Sequence, residues 1–277
     1  MAVAQPASTI DKVKASGTMS VGYRESSVPF SYLDGPNPTG FGWEICMKIV
    51  DKVGQVNGRA PKVQTQAVTS ANRIPLLTNG TIDIECGSTT NNADRQKQVA
   101  FGINYFYTGT RFLVKSTSKV KSLEDLKGQS VVSTVGTTNF RVLRNISTEK
   151  KLDIDLVAVK DHAEGALMVQ AGRTAAFGMD DILLYGLKAN AVQPSELAVV
   201  GDPIQTEPYA IMLRRDDPTF KKLVDDTLTE LIRSGEFEKL YAKWFMSPIP
   251  PRGISLQVPM SAELRENMRK LSDQPAL

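Results

Sequence analysis

Histidine and cysteine are scarce in this chain. Its 277 residues include one histidine, His162, and two cysteines, Cys46 and Cys86. A single histidine excludes the usual metal site built from several histidines, and no metal ion is expected. Two cysteines are too few for the disulfide framework of small secreted domains. Whether they bond each other stays open, because a disulfide demands specific distances between the two backbones.

Long apolar runs and long runs of one charge are missing as well. No stretch of about 18 apolar residues is present, which argues against a membrane-spanning helix. Lys and Arg total 33 against 30 Asp and Glu, for a net charge of +3. No basic run is long enough to follow a phosphate backbone, so nucleic acid is not an expected partner.

Signatures of catalysis and of secretion are also absent. The sequence contains no G-x-S-x-G, H-E-x-x-H or P-loop pattern, so we expect neither an enzyme nor a cofactor. Met1 to Ser8 lacks the basic flank and apolar run of a secretory signal. Two histories fit this start: a cytoplasmic protein, or an exported one whose signal was removed and replaced by a start Met.

The composition is that of a globular protein that alternates strands and helices. Hydrophobic residues make up 41% and charged residues 23% of the chain, enough for a sizeable core. Strand-like and helix-like patterns alternate along the whole length, which predicts α/β layers with mostly parallel sheets.

Polar side chains follow the predicted strand ends. In open α/β sheets, ligands bind outside the carboxyl ends of the strands, so these residues are candidates for one site. They are Arg24, Arg73, Ser88 to Arg95, Thr138, His162 and Asp180.

The stretch from Ile82 to Arg95 is the richest in donors. A short strand pattern stops at Gly87 and is followed by three hydroxyl residues and then Arg95. Hydroxyl and backbone N–H donors with a planar guanidinium suit a carboxylate. The alternative is a loop whose Ser and Thr side chains only cap the next helix.

Longer motifs resemble the periplasmic solute-binding proteins of the polar amino-acid class, family 3, and among them the glutamate/aspartate binders of ABC transporters. The resemblance covers nearly the whole chain. It rests on Gly22 to Phe30, Asn72 to Leu77, Asp83 to Arg95, Gly136 to Thr138, Lys160 to His162, Gly172-Arg173, Met179 to Asp181, and Pro218 to Trp244.

The resemblance implies a two-lobed α/β clamp, each lobe a mostly parallel sheet flanked by helices. Residues 1–106 and 208–277 would form the first lobe and residues 107–207 the second, with hinge crossings near 107–109 and 203–209. It also implies a periplasmic monomer that delivers L-glutamate or L-aspartate to an inner-membrane ABC permease. Clamps of this kind close on their ligand by hinge motion.

The resemblance also assigns roles to nine residues. Arg95 would bind the α-carboxylate of the ligand, and Asp180 its α-ammonium. Three hydroxyl residues would assist Arg95, namely Ser88, Thr90 and Thr138. A second cluster would bind the side-chain carboxylate: Arg24, Ser70, Arg73 and His162.

Two other functions share the implied fold. A few relatives have become small-acid dehydratases of the cyclohexadienyl type, for which an acid/base residue in place of the ammonium-binding Asp180 would be expected. The same clamp also serves as the ligand domain of receptors, which a chain ending in a Pro-rich tail without a membrane span disfavours.

Overall fold

The structure, a computed structural model, describes residues 8–276. The N-terminal segment that leaves the secretion history open therefore lies almost wholly outside the described residues. The strands are β1 (Thr18–Tyr23), β2 (Ser26–Ser27), β3 (Ser31–Asp34), β4 (Asn37–Thr39), β5 (Lys62–Ala67), β6 (Ile84–Cys86), β7 (Val99–Phe101), β8 (Phe106–Lys115), β9 (Ser130–Thr134), β10 (Asp155–Val159), β11 (Ala176–Asp180), β12 (Leu197–Val200), β13 (Thr206–Tyr209) and β14 (Met212–Arg214).

The helices lie between these strands and at the C-terminal end. They are α1 (Thr9–Ser16), α2 (Phe41–Asn57), α3 (Arg73–Thr78), α4 (Ala93–Gln96), α5 (Thr138–Glu149), α6 (His162–Gln170), α7 (Asp181–Asn190), α8 (Pro218–Arg233), α9 (Glu236–Tyr241) and α10 (Ala262–Lys270). Short 3₁₀ turns cover Glu124–Leu126 and Pro194–Glu196, and a π-helical turn covers Ala242–Met246. Within residues 8–276, no helix has the length and apolar character needed to cross a membrane.

The strands form two main sheets and one small one. The first has the order β5-β1-β6-β14-β7, and the second has the order β10-β9-β11-β8-β12 with β13 also paired to β8. A small antiparallel sheet has the order β2-β3-β4. The first sheet takes its strands from residues 18–101 and 212–214, and the second from residues 106–209.

The predicted two-lobed α/β fold is confirmed, and its two main sheets are mixed rather than mostly parallel. β1 pairs parallel with β5 and β6, and β9 pairs parallel with β10 and β11. β14 and β8 instead pair antiparallel with all of their neighbours. Parallel neighbours need a crossover connection, usually a helix. β8 and β14 enter their sheets directly from the other lobe, without such a helix, and run antiparallel.

The two lobes are joined where β8 and β13 run side by side. These strands pair antiparallel from Phe106 opposite Tyr209 to Gly109 opposite Thr206. An aromatic cluster packs at this junction: the ring of Phe30 lies 4.9 Å from that of Phe106 and 5.1 Å from that of Tyr209. Aromatic pairs at such distances add to the free energy of burial. Both crossing strands are therefore packed against Phe30 at the point where they leave the first lobe.

The two cysteines are bonded to each other. Their Cα atoms lie 6.0 Å apart, and the bond joins α2 to the last residue of β6. This answers the question that the sequence left open, because folding brings together two residues that lie 40 positions apart in the chain. The disulfide fixes the strand end from which Gly87 and Ser88 continue toward the cleft.

Candidate functional site

A narrow cleft lies between the two lobes. Eight of the nine residues predicted from the sequence line it, while Arg24 lies behind two of them. The lining residues are Ser70, Arg73, Ser88, Thr90, Arg95, Thr137, Thr138, Asn139, His162, Met179 and Asp180. The structure thus brings the predicted residues to one place.

Strand ends and helix starts deliver these side chains. Ser88 and Thr90 follow β6, and Arg95 lies on the short helix α4, whose Asn92 cap accepts a hydrogen bond from the Arg95 N–H. From the second lobe, α5 begins at Thr138, and Thr137 caps it by accepting from the N–H of Phe140. The first N–H groups of a helix lack intrahelical acceptors and favour an anion.

Arg95 is held by one backbone carbonyl from each lobe. Its Nη1 donates to the carbonyl of Thr90 at 2.8 Å, and its Nη2 donates to the carbonyl of Gly136 at 3.2 Å. Gly136 has a φ of +82°, and a Cβ at this position would lie 2.6 Å from the Cα of Ala71 in the first lobe. Glycine at this position therefore permits the close approach of the two lobes.

Arg24 is buried behind Ser70 and His162 and contacts both. Its Nη2 donates to Ser70 Oγ at 2.8 Å and lies 3.1 Å from His162 Nε2. His162 Nδ1 lies 2.8 Å from Thr134 Oγ1. A guanidinium can only donate, so Nε2 accepts, and the ring carries its hydrogen on Nδ1, which donates to Thr134. His162 thus has no N–H left for a ligand, whereas the sequence suggested that it donates to one.

Several buried polar atoms at the cleft lack a protein partner. Among residues 8–276, no hydrogen-bond partner is present for Arg24 Nη1, Arg73 Nε, Ser88 Oγ, Asn139 Nδ2 and Asp180 Oδ1. Buried polar groups are nearly always paired, and an unpaired one costs about 1–3 kcal/mol. This set of donors, with one carboxylate oxygen, suits a ligand with several acceptors and a cationic group.

Burial lowers the pKa of all three arginines. The pKa of Arg95 falls to about 9 and that of Arg24 to about 10, through loss of hydration and then through the charge of Arg73. Burial also lowers the pKa of Arg73. His162 is fully buried, and burial followed by the charges of Arg24 and Arg73 holds its pKa well below the usual 6.5. The ring is therefore neutral, in agreement with its role as an acceptor.

Asp180 ends β11 at the floor of the cleft. Its Oδ2 accepts a hydrogen bond from the hydroxyl of Tyr209 at 2.5 Å. Burial, and next the nearby carboxylate of Glu207, raise the pKa of Asp180 to about 8. A bound cation would reverse this effect, because an opposite charge at contact distance favours the ionised carboxylate.

Two buried glutamates were not recognised as part of the site from the sequence. Glu85 is fully buried, accepts from Thr89 Oγ1 at 2.6 Å, and raises the pKa of Arg24 and of Arg73 by its charge. Glu207 is 1% exposed and accepts from Thr90 and Thr138. Its only sequence signal was its position within the predicted second hinge crossing.

Further contacts cross the cleft outside the cavity. Ser26 Oγ donates to Asp161 Oδ2 at 2.7 Å, and Arg141 pairs with Asp94 at 3.0 Å. A Cβ on Gly186 would lie 2.3 Å from the carbonyl oxygen of Val28, so α7 also closely approaches the loop that joins β2 and β3. The lobes therefore meet in a closed arrangement.

Comparison with known proteins places the chain in one family. The family model for bacterial extracellular solute-binding proteins, family 3, matches residues 19–247. An L-glutamate/L-aspartate-binding protein of Pseudomonas aeruginosa is 45% identical over 271 residues, which cover 97% of this chain and 90% of that protein.

Solved structures with the same architecture include proteins of other kinds. An ancestral arginine-binding protein bound to arginine aligns with a TM-score of 0.73 at 28% identity, covering 83% of this chain and 98% of that one. An ancestral amino acid-binding protein that is a precursor of cyclohexadienyl dehydratase aligns with a TM-score of 0.72 at 29% identity, covering 86% and 99%. The shared fold therefore does not decide the charge of the ligand. The two-lobed fold and the match over most of its length establish that this chain belongs to the bacterial extracellular solute-binding proteins, family 3.

Proposed function

We propose that the protein is the substrate-binding component of an amino-acid ABC importer and binds L-glutamate and/or L-aspartate by closure of the two lobes. The observation that carries this proposal is the convergence of three buried arginines on one cleft. Arg24 and Arg73 are each 2% exposed, and Arg95 is 8% exposed. The similarity to the L-glutamate/L-aspartate-binding protein of Pseudomonas aeruginosa supports the same ligands.

At one end of the cleft, Arg73 lines a site for the side-chain carboxylate of the ligand, and Arg24 supports this site from behind Ser70 and His162. Glu85 is the buried carboxylate whose charge acts on both guanidinium groups. The charge of Asp161 also acts on Arg24, and the charges of Asp180 and Glu207 act on Arg73. Arg24 Nη1 and Arg73 Nε nevertheless have no hydrogen-bond acceptor within residues 8–276, and an anionic ligand group at this end would supply one. A glutamine ligand offers no anionic group at this end and binds worse. Ser70, whose oxygen accepts from Arg24, keeps its own hydrogen for the ligand.

At the other end, Arg95 binds the α-carboxylate. Ser88 Oγ, which has no partner within residues 8–276, assists it, and so do the N–H groups at the start of α5. Asp180 binds the α-ammonium through Oδ1, which is also without a partner in that part of the chain. Each charge-assisted hydrogen bond contributes about 1.5–3 kcal/mol, and several together exceed the cost of closing the lobes.

The proposal also includes the residue ranges of the two lobes and a location in the periplasm. We assign residues 1–106 and 208–277 to the first lobe and 107–207 to the second; the strand content of the two main sheets supports this division. The protein acts as a periplasmic monomer without catalytic activity and delivers its ligand to an inner-membrane ABC permease.

Calorimetric titration tests the proposal directly. The protein, freed of bound amino acids by unfolding and refolding, is titrated with L-glutamate, L-aspartate, L-glutamine and L-arginine. We expect tight binding of one or both dicarboxylates and binding of the other two that is weaker by at least about tenfold, since one charge-assisted bond is lost. Tight binding of glutamine or arginine without either dicarboxylate would overturn the proposal.

A second candidate is a dehydratase that acts on a cyclic dicarboxylic acid. The structural similarity to a precursor of cyclohexadienyl dehydratase favours it, whereas Asp180 at the ammonium-binding position argues against it. Incubation with prephenate or arogenate and detection of the aromatic product decides between the two. Turnover that Asp180→Asn abolishes would favour the enzyme.

A further inference from the structure

Glu207 lies behind two of the residues that line the cleft. It belongs to β13, the crossing strand, and its side chain does not reach the cavity. One carboxylate oxygen, Oε2, accepts hydrogen bonds from Thr90 Oγ1 at 2.6 Å and from Thr138 Oγ1 at 2.5 Å. The other oxygen accepts from the side-chain amide of Gln205. Both oxygens of a buried carboxylate are thus satisfied by protein donors.

These contacts decide the direction of two hydroxyl groups. A threonine hydroxyl has one hydrogen and two lone pairs, and a carboxylate has no hydrogen to offer. Thr90 and Thr138 therefore both direct their hydrogens toward Glu207, away from the cavity that they line. The two hydroxyl oxygens therefore present their lone pairs to a ligand in the cavity. A hydroxyl in this orientation accepts from a cation and cannot donate to a carboxylate.

Asp180 lines the same cleft as these two threonines. Its carboxylate accepts from the hydroxyl of Tyr209, which lies on β13 two positions after Glu207. Asp180 Oδ1 has no hydrogen-bond partner within residues 8–276. One carboxylate oxygen and two hydroxyl oxygens make three acceptors, which matches the three N–H groups of an ammonium.

We propose that Glu207 is a positioning residue for ligand recognition: by taking the hydrogens of Thr90 and Thr138, it turns both hydroxyls into acceptors for the α-ammonium of the bound amino acid. This inference deepens the proposed function and rests on it. The family resemblance implied that the hydroxyls of Thr90 and Thr138 assist Arg95. In the present proposal they bind the α-ammonium instead. Thr138 still serves the α-carboxylate through its N–H at the start of α5.

A mutant cycle tests whether Glu207 acts through the two hydroxyls. The four proteins are the wild type, Glu207→Leu, the double variant Thr90→Val with Thr138→Val, and the triple variant. The Kd for L-glutamate is measured by calorimetry, or by thermal shift for weak binding. We expect Glu207→Leu to weaken binding at least about tenfold in the wild type and less than about threefold in the valine background. An equal loss in both backgrounds indicates a merely structural role and overturns the proposal.

The conservative variant separates hydrogen acceptance from charge. In Glu207→Gln the amide oxygen still accepts from both threonines, while Gln205 rotates its own amide to present its oxygen. We expect the Kd of this variant to stay within about fivefold of the wild type. A loss as large as that of Glu207→Leu overturns the proposal, because charge alone would then explain the effect. If Glu207→Leu does not fold, Glu207→Met replaces it.

The proposed function and this inference fail in different ways. If the wild type binds neither L-glutamate nor L-aspartate, the proposed function is wrong. If it binds one of them but the two backgrounds respond equally to Glu207→Leu, only the role of Glu207 is wrong.

Discussion

Arg24 donates from Nη2 to Nε2 of His162 across 3.1 Å, and this contact sets the state of both side chains. It requires a neutral imidazole with its hydrogen on Nδ1. It also holds the guanidinium in place behind the cavity wall. Arg24 is therefore connected to the cavity wall through His162 and Ser70, the two lining residues that it contacts.

The pH dependence of stability follows from the low pKa of His162. Below pH 6.5 the unfolded chain takes up a proton on this histidine, while the folded protein does not, so stability falls with falling pH. The slope reaches at most about 1.4 kcal/mol per pH unit. His162→Gln keeps an acceptor for Arg24 but does not titrate. Urea unfolding at pH 7.5 and pH 5 should show a smaller loss for this variant, and equal losses would contradict the assignment.

Ligand binding should release a proton from Asp180. With a pKa of about 8, this carboxyl is mostly protonated at pH 7, and an α-ammonium beside it lowers the pKa. Titration calorimetry in phosphate and in Tris gives the number of protons released, which we expect to approach one at pH 7 and to vanish well above pH 8. Asp180→Asn has no proton to release at this position, so the difference in binding enthalpy between the two buffers should disappear. A wild-type enthalpy that is the same in both buffers would refute the prediction.

Removal of Arg95 should abolish binding of every amino acid. Arg95→Ala takes away the guanidinium that we assign to the α-carboxylate, a group that all of these ligands carry. A loss of about 3 kcal/mol or more, at least about a hundredfold in Kd, is expected for a buried charge pair. Arg144→Ala, at an exposed position, is the matched control and should bind as the wild type does. Titration with glutamate and glutamine checks both variants, and retained binding in Arg95→Ala would contradict the role.

Removal of Arg73 should affect the two ligands unequally. Arg73→Ala leaves the α-carboxylate site intact but removes a partner of the side-chain carboxylate. The ratio of glutamine to glutamate dissociation constants should therefore fall by about tenfold or more. Competition titrations with both ligands measure this ratio. The division of labour between Arg73 and Arg95 is wrong if both ligands lose the same affinity.

The disulfide should contribute substantially to stability. Cys46 and Cys86 close a loop with a sequence separation of 40, which corresponds to about 4 kcal/mol in the chain-entropy model. The free energy of unfolding of the double variant Cys46→Ser with Cys86→Ser, measured by urea unfolding, should be lower by about this amount. The same decrease is expected for the reduced wild type. The reduced wild type serves as the control for the serine side chains. If oxidised and reduced protein unfold at the same urea concentration, the bond adds nothing.

Much of the candidate site was predictable from the sequence because its residues come from local patterns. A strand pattern that ends in Ser88, Thr90 and Arg95, or in Asp180, can be recognised along the chain, and the end of a strand is where a ligand binds in such sheets. The motifs around these residues add a family resemblance, which brought in Ser70 and completed the set. Eight of the nine predicted residues line one cavity.

The chain by itself determined the fold class, the family and the residues that meet at the cleft, since alternation, spacing and motif are properties of neighbours in sequence. Tertiary structure alone decided the mixed direction of the sheets, the Cys46–Cys86 bond, and the partners of His162 and Glu207. Each of these depends on the relative placement of segments that are distant in the chain. Glu207 and Thr90 are 117 positions apart, and no local pattern reports that one carboxylate oxygen receives both threonine hydrogens.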